Sequence, residues 1–151
     1  MVANGYENNT SFTPLKAVDG LKPSDMSVHD TKDPNYPSRW SSNATLPSTP
    51  VWLYVNLGSV KTFQQVDIYW QKAKASEYQI QISDDGVEWE PILIVTKPEE
   101  ASAPRPDYIT LETPVSARYL RIYVTKNNGE HKNVGIFEVE VYDSAEQNLS
   151  I

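Results

Sequence analysis

The chain has 151 residues, 39% hydrophobic and 11% aromatic, which is one domain's worth of sequence with enough apolar material for a core. Thirteen Lys and Arg against 20 Asp and Glu leave a formal net charge of −7, which disfavours partners held chiefly by phosphate contacts, nucleic acid and anionic membrane alike. The absence of Cys excludes a disulfide scaffold and a thiolate metal site and leaves oxygen ligation as the route to a bound ion.

Met1 to Phe12 are polar and have no signal-peptide core, and no apolar run approaches the ~18 residues of a membrane span. The expectation is a mature or excised module of a longer parent. Lys16-Ala17-Val18-Asp19-Gly20 then forms a turn, followed by a Pro- and Asp-bearing stretch from Leu21 to Pro37 that reads as a long surface loop, and loops of that length usually carry function. Ser38-Arg39-Trp40-Ser41-Ser42 follows.

From there the apolar residues repeat at period two, as in strands buried on one face. The inward sets are Val51, Leu53, Val55 and Leu57; Val66, Ile68 and Trp70; Tyr78, Ile80 and Ile82; Leu120, Ile122 and Val124; and Phe137, Val139 and Val141. Leu57-Gly58-Ser59, Asp84-Asp85-Gly86 and Asn127-Asn128-Gly129 are turn signals, and the second predicts a hairpin between Tyr78–Ser83 and Trp89–Val95. Lys97 to Asp107, with three prolines, reads as an exposed connection. Several short strands with such turns predict an all-β antiparallel sandwich or jelly roll in a single domain.

Six blocks, in this order, resemble the discoidin-like (F5/8 type C) superfamily, and within it the bacterial family 32 carbohydrate-binding modules of secreted glycoside hydrolases. They are Ala17-Val18-Asp19-Gly20, Ser38-Arg39-Trp40-Ser41, Pro50 to Gly58, Ser83-Asp84-Asp85-Gly86-Val87-Glu88-Trp89, Ala117 to Ile122, and Glu138-Val139-Glu140-Val141-Tyr142, covering a core of about residues 12–143. The resemblance implies a discoidin-like jelly roll, an extracellular location and a structural Ca²⁺ site. In that site Asp19 and Glu138 supply carboxylates, Ser38 a hydroxyl, and Lys16, Leu21 and Phe137 backbone carbonyls, hard oxygen donors of the kind Ca²⁺ prefers. Taken singly, Asp19 is a turn residue and Glu138 a strand-end carboxylate; the intact pattern favours calcium.

The resemblance also implies a shallow sugar pocket among the loops at one end of the sandwich. Galactose-binding members carry a His just after the Trp, an Arg at the strand end, an Asn in the next loop and an aromatic in the last loop. Here Ser41 replaces the His, Gln71-Lys72 the Arg, Lys74-Ala75-Ser76 shortens the Asn loop, and His131-Lys132 occupy the last region. That departure favours a remodelled pocket for an N-acetylglucosamine-type sugar over galactose, built from His29, Tyr36, Asn43, Trp70, Gln71, Lys72, Asn127, Asn128 and His131. An aromatic face takes the sugar's C–H surface and polar groups pair its hydroxyls. Trp70, in phase with Val66 and Ile68, reads equally as a core residue, and Trp40, Trp52 and Trp89 are assigned to packing.

No nucleophile elbow, zinc-helix, P-loop or dinucleotide motif is present, so a non-catalytic module is favoured over an enzyme. The implied role is to target a parent catalytic domain in the same polypeptide to terminal sugars or short oligosaccharides of glycans, as a monomer. The rival is a discoidin-type adhesion domain for a protein or lipid surface.

Overall fold

The computed structural model describes residues 2–3, 17–18, 40–42, 49–97, 104–128, 133–143 and 148–150. They form seven strands: β1 (Val2–Ala3), β2 (Trp40–Ser41), β3 (Val51–Trp70), β4 (Ala75–Ser83), β5 (Glu90–Thr96), β6 (Arg105–Asn127) and β7 (Gly135–Tyr142). All pairings are antiparallel, in the order β2-β7-β3-β6-β4-β5, with β1 added to β3.

Two long strands serve both layers of the sandwich. The first half of β3 pairs with β1 and with the second half of β6, which continues into β4 and β5; the second half of β3 pairs with the first half of β6 and with β7, which carries β2. The expected break at Leu57-Gly58-Ser59 is therefore a bend within one strand. Gly58 sits at φ +88, where a Cβ would be strained, and the β3–β6 register shifts between Asn56 and Lys61.

The predicted inward faces meet in one core, with Leu53, Val55, Ile80, Leu120 and Ile122 from one layer against Val66, Ile68, Trp70, Ile136, Val139 and Val141 from the other. One member differs from expectation. The register shift between Tyr69 and Trp70 puts Trp70 opposite Ile136, so Ile136 takes the inward place expected of Phe137, which is buried outside that cluster. A second correction concerns the Lys97-to-Asp107 connection: β6 begins at Arg105, and Asp107 is only 2% exposed. The Leu21-to-Pro37 loop lies outside the described residues.

Candidate functional site

One end of the sandwich gathers the Gln71–Lys74 connection, the end of β6 at Asn127-Asn128, the Asn133-Val134 entry to β7, and β2. Backbone hydrogen bonds knit these together: Gln71 N–H donates to the Gly135 carbonyl at 2.9 Å, Gly135 N–H to Ala73 at 2.7 Å, Asn128 N–H to Lys74 at 2.9 Å and Ser42 N–H to Val134 at 2.8 Å. Side chains add to the weave, since Asn128 Nδ2 donates to the Lys72 carbonyl at 3.0 Å and Ser76 Oγ to that of Asn127 at 2.7 Å. Gln71 packs closely on Gly135, where a Cβ would stand 2.4 Å from Gln71 Oε1 and force that side chain to move.

The structure brings Gln71, Lys72, Asn127 and Asn128, four of the residues named from the sequence, to one end. Their exposures divide the group: Gln71 and Asn128 are buried and hold the loop, whereas Lys72 and Asn127 are half-buried at its rim. His29, Tyr36, Asn43 and His131 lie outside the described residues.

Trp70 requires a correction. It is fully buried, so neither face of its ring is offered to a sugar. Its phase with Val66 and Ile68 points it into the core, where its indole N–H donates to Asp107 Oδ2 at 3.0 Å. Beneath the loop end, Asp107 also accepts the Tyr78 hydroxyl at 2.5 Å and Arg105 Nε at 2.8 Å, and Arg105 Nη2 reaches the Ala75 carbonyl at 2.8 Å. Burial, and then the Asp107 charge, push the Tyr78 hydroxyl well above the usual tyrosine range. Asp107 and Arg105 escaped sequence reasoning because Pro104 and Pro106 signalled a loop; the alternation Asp107, Ile109, Leu111, all buried, was the available signal.

For the implied ion site, Glu138 is 1% exposed on β7, and β2 runs beside it, with Trp40 opposite Ile136. A buried carboxylate needs a cation or strong donors, so this residue fits an ion ligand. Phe137 is buried beside it. Lys16, Asp19, Leu21 and Ser38 lie outside the described residues, and among those described no group of three His, Cys, Asp or Glu could hold a metal.

The comparisons with known proteins agree on the family. The F5/8 type C domain model matches residues 2–139. The chain belongs to the F5/8 type C domain family. Chitosan-binding module 1 of a chitosanase/glucanase from Paenibacillus sp. IK-5 is 30% identical, with 93% of this chain and 92% of that one covered and a TM-score of 0.70. Module 2 of that enzyme, solved with chitotriose, is 27% identical at a TM-score of 0.72, with 93% of each chain covered. A family 32 CBM from C. perfringens NanJ, solved with galactose, is 18% identical, covers 93% of this chain and 90% of that one, and at a TM-score of 0.67 shows the shared fold. No match was found among curated proteins. This F5/8 type C domain is thus related to the carbohydrate-binding modules of glycoside hydrolases, a non-catalytic class.

Proposed function

We propose that this domain binds glucosamine-series sugars, N-acetylglucosamine or its de-acetylated form, at the loop end, and so holds a parent glycoside hydrolase on glycans outside the cell. The observation that carries this is the 30% identity to a chitosan-binding module over 93% of the chain. The polar rim of Lys72 and Asn127 supports it, since a desolvated sugar hydroxyl must be paired. Ser41 and Gln71, where galactose binders carry His and Arg, weigh against galactose. Binding one sugar unit in a shallow pocket leaves few buried atoms, so a single-site Kd of roughly 10 µM to 1 mM is expected. Weak modules still raise the effective concentration of a tethered catalytic domain.

We also assign a structural Ca²⁺ to Asp19, Ser38 and Glu138, with the carbonyls of Lys16, Leu21 and Phe137. The burial of Glu138 supports this assignment. Bound there, calcium would neutralise the carboxylates and tie the first loop to the last strand. Chelation should lower Tm, and Glu138→Gln should abolish that response.

Isothermal titration with the glucosamine trimer, N-acetylglucosamine and galactose tests the sugar assignment. Saturable heat with the first two and none with galactose is expected. Heat with galactose alone would overturn the preference, and none with any sugar would move the domain to the protein-binding reading.

A further inference from the structure

The outward face of the first layer carries a second aromatic assembly, away from the loop end. The β3–β6–β4 register lays it out in rows: Asn56–Tyr119–Ser83, then Tyr54–Arg121–Gln81, then Trp52–Tyr123–Gln79, with the exposed Ile94 of β5 opposite Gln79. Trp52, Tyr54, Tyr119, Arg121 and Tyr123 are half-buried, alternating with the core residues of the same strands. Trp89, returning from the β4–β5 turn, packs on Tyr54 at 5.3 Å between ring centroids.

Arg121 is the centre of this face. Its guanidinium carbon lies 4.3 Å from the centroid of Trp89, 5.2 Å from Tyr123 and 5.4 Å from Trp52. Among the described residues its one hydrogen bond runs from Nε to Gln81 Oε1 at 2.7 Å, and Gln81 Nε2 in turn donates to Gln79 Oε1. The Nη edge of the fork is left over, and among the described residues no carboxylate pairs with it. Of the carboxylates on the neighbouring segments, Glu77 accepts Thr125 Oγ1 and pairs with Lys126, and Asp85 accepts the N–H groups of its own turn. A partly desolvated cation held by rings and a neutral amide remains a strong site for an anion, and a guanidinium fork matches a carboxylate in two hydrogen bonds. Desolvation by the surrounding residues lowers the Arg121 pKa, which is the cost an incoming anion would relieve.

We infer that this face is a second glycan-binding surface, distinct from the loop end, that takes a carboxylate-bearing sugar unit through Arg121 and the rings around it. A sugar acid fits both halves of the arrangement, its C–H face on the aromatic rings and its carboxylate on the fork, with Nε2 of the half-buried Gln79 left for a hydroxyl. A peptide strand fits less well. The central strands β3, β6 and β4 are hydrogen-bonded on both sides, so the face offers side chains and no free backbone ladder. A cavity of about 500 Å³ beside Trp89 is lined by Asp84, Asp85, Glu88 and Glu90, and these carboxylates direct an anion away from that end and toward Arg121 and Tyr123.

The test is an NMR titration of the full chain with the trimer of galacturonic acid and, in parallel, with its methyl ester. The acid should shift the Arg121 Nε–H and the Trp52 and Trp89 indole N–H signals saturably, and the neutral ester should not. Arg121→Gln should weaken the acid at least tenfold, and Gln79→Ala should weaken it while leaving the cation in place. No shift on this face, equal shifts from acid and ester, or shifts confined to Lys72, Asn127 and Asn128 would overturn the inference. Equal shifts from an acidic hexapeptide would give the face to proteins and overturn it too.

Discussion

Arg105 and Arg121 lie on the same strand and belong to two clusters of similar composition. Arg105 meets Asp107, which also holds the Trp70 indole and the Tyr78 hydroxyl, and Asp107 is 2% exposed. Arg121 meets Trp89, Trp52 and Tyr123 and donates to a neutral amide on a half-buried face. The difference is one carboxylate. Where it is present, the charges and donors are mutually satisfied and the cluster works as part of the core. Where it is missing, the cation and rings keep capacity for a ligand. An aromatic residue beside an arginine is thus a site or a strut depending on whether the fold itself supplies the anion.

The sharpest way to break this contrast is to remove the internal anion. Asp107→Ala leaves Arg105, Tyr78 and Trp70 without their common acceptor, and breaking a buried pair in this way costs about 3–5 kcal/mol. Urea unfolding measures it. A loss below about 1 kcal/mol, the scale of an exposed pair, would show that the network is not the closed unit described.

Trp70→Phe is the next largest change. It keeps a ring in the core but removes the donor to Asp107, at a cost of about 1–3 kcal/mol. Sugar affinity at the loop end should stay within twofold, since the ring is buried; a larger loss with the fold intact would restore Trp70 as a platform.

Alkaline pH probes the same network more gently. The Tyr78 pKa is raised on folding, so above the unfolded value of about 10 the unfolded chain releases a proton that the folded chain retains. Stability is therefore full below about pH 10 and falls as pH rises beyond it. Tyr78→Phe should flatten that limb, and an unchanged limb would assign the titration to another group.

The strands were legible because alternation is a direct consequence of a one-sided core: Val51, Leu53, Val55 and Leu57 are buried while Trp52, Tyr54 and Asn56 are not. That signal fails where both faces are covered. Asp67 and Tyr69 are buried along with Val66, Ile68 and Trp70, and β7 is buried almost throughout, so its phase at Phe137 was misread. At the loop end, Gln71, Lys72, Asn127 and Asn128 were named from their positions at strand ends. That Gln71 packs on Gly135 and Asn128 bonds the Lys72 carbonyl depends on pairings between segments far apart in the chain. Trp52 and Trp89, assigned to packing, do pack, but on the outside of the sheet. Only the cross-strand register reveals that they surround Arg121.

The smallest expected effect concerns how Trp89 is delivered to that face. Asp85 Oδ1 accepts the N–H groups of Val87 at 2.8 Å and Glu88 at 2.9 Å and the Ser83 hydroxyl at 2.9 Å, closing the turn in which Gly86 adopts φ +74. These bonds, with the Val87 N–H foremost, hold the Asp85 carboxyl below the usual carboxylate range. A depressed folded pKa contributes stability that is present above the unfolded value near 4 and is lost as pH falls through the folded one. Acid should therefore loosen the turn and move Trp89 against Arg121 before the core yields. The Trp89 indole resonance, followed from pH 6 to about 2, should shift ahead of global unfolding, and Asp85→Asn should flatten that early phase. If the early shift persists in Asp85→Asn, the turn carboxylate does not set the position of Trp89, and the ring is held by its contacts with Arg121, Tyr54 and Tyr119.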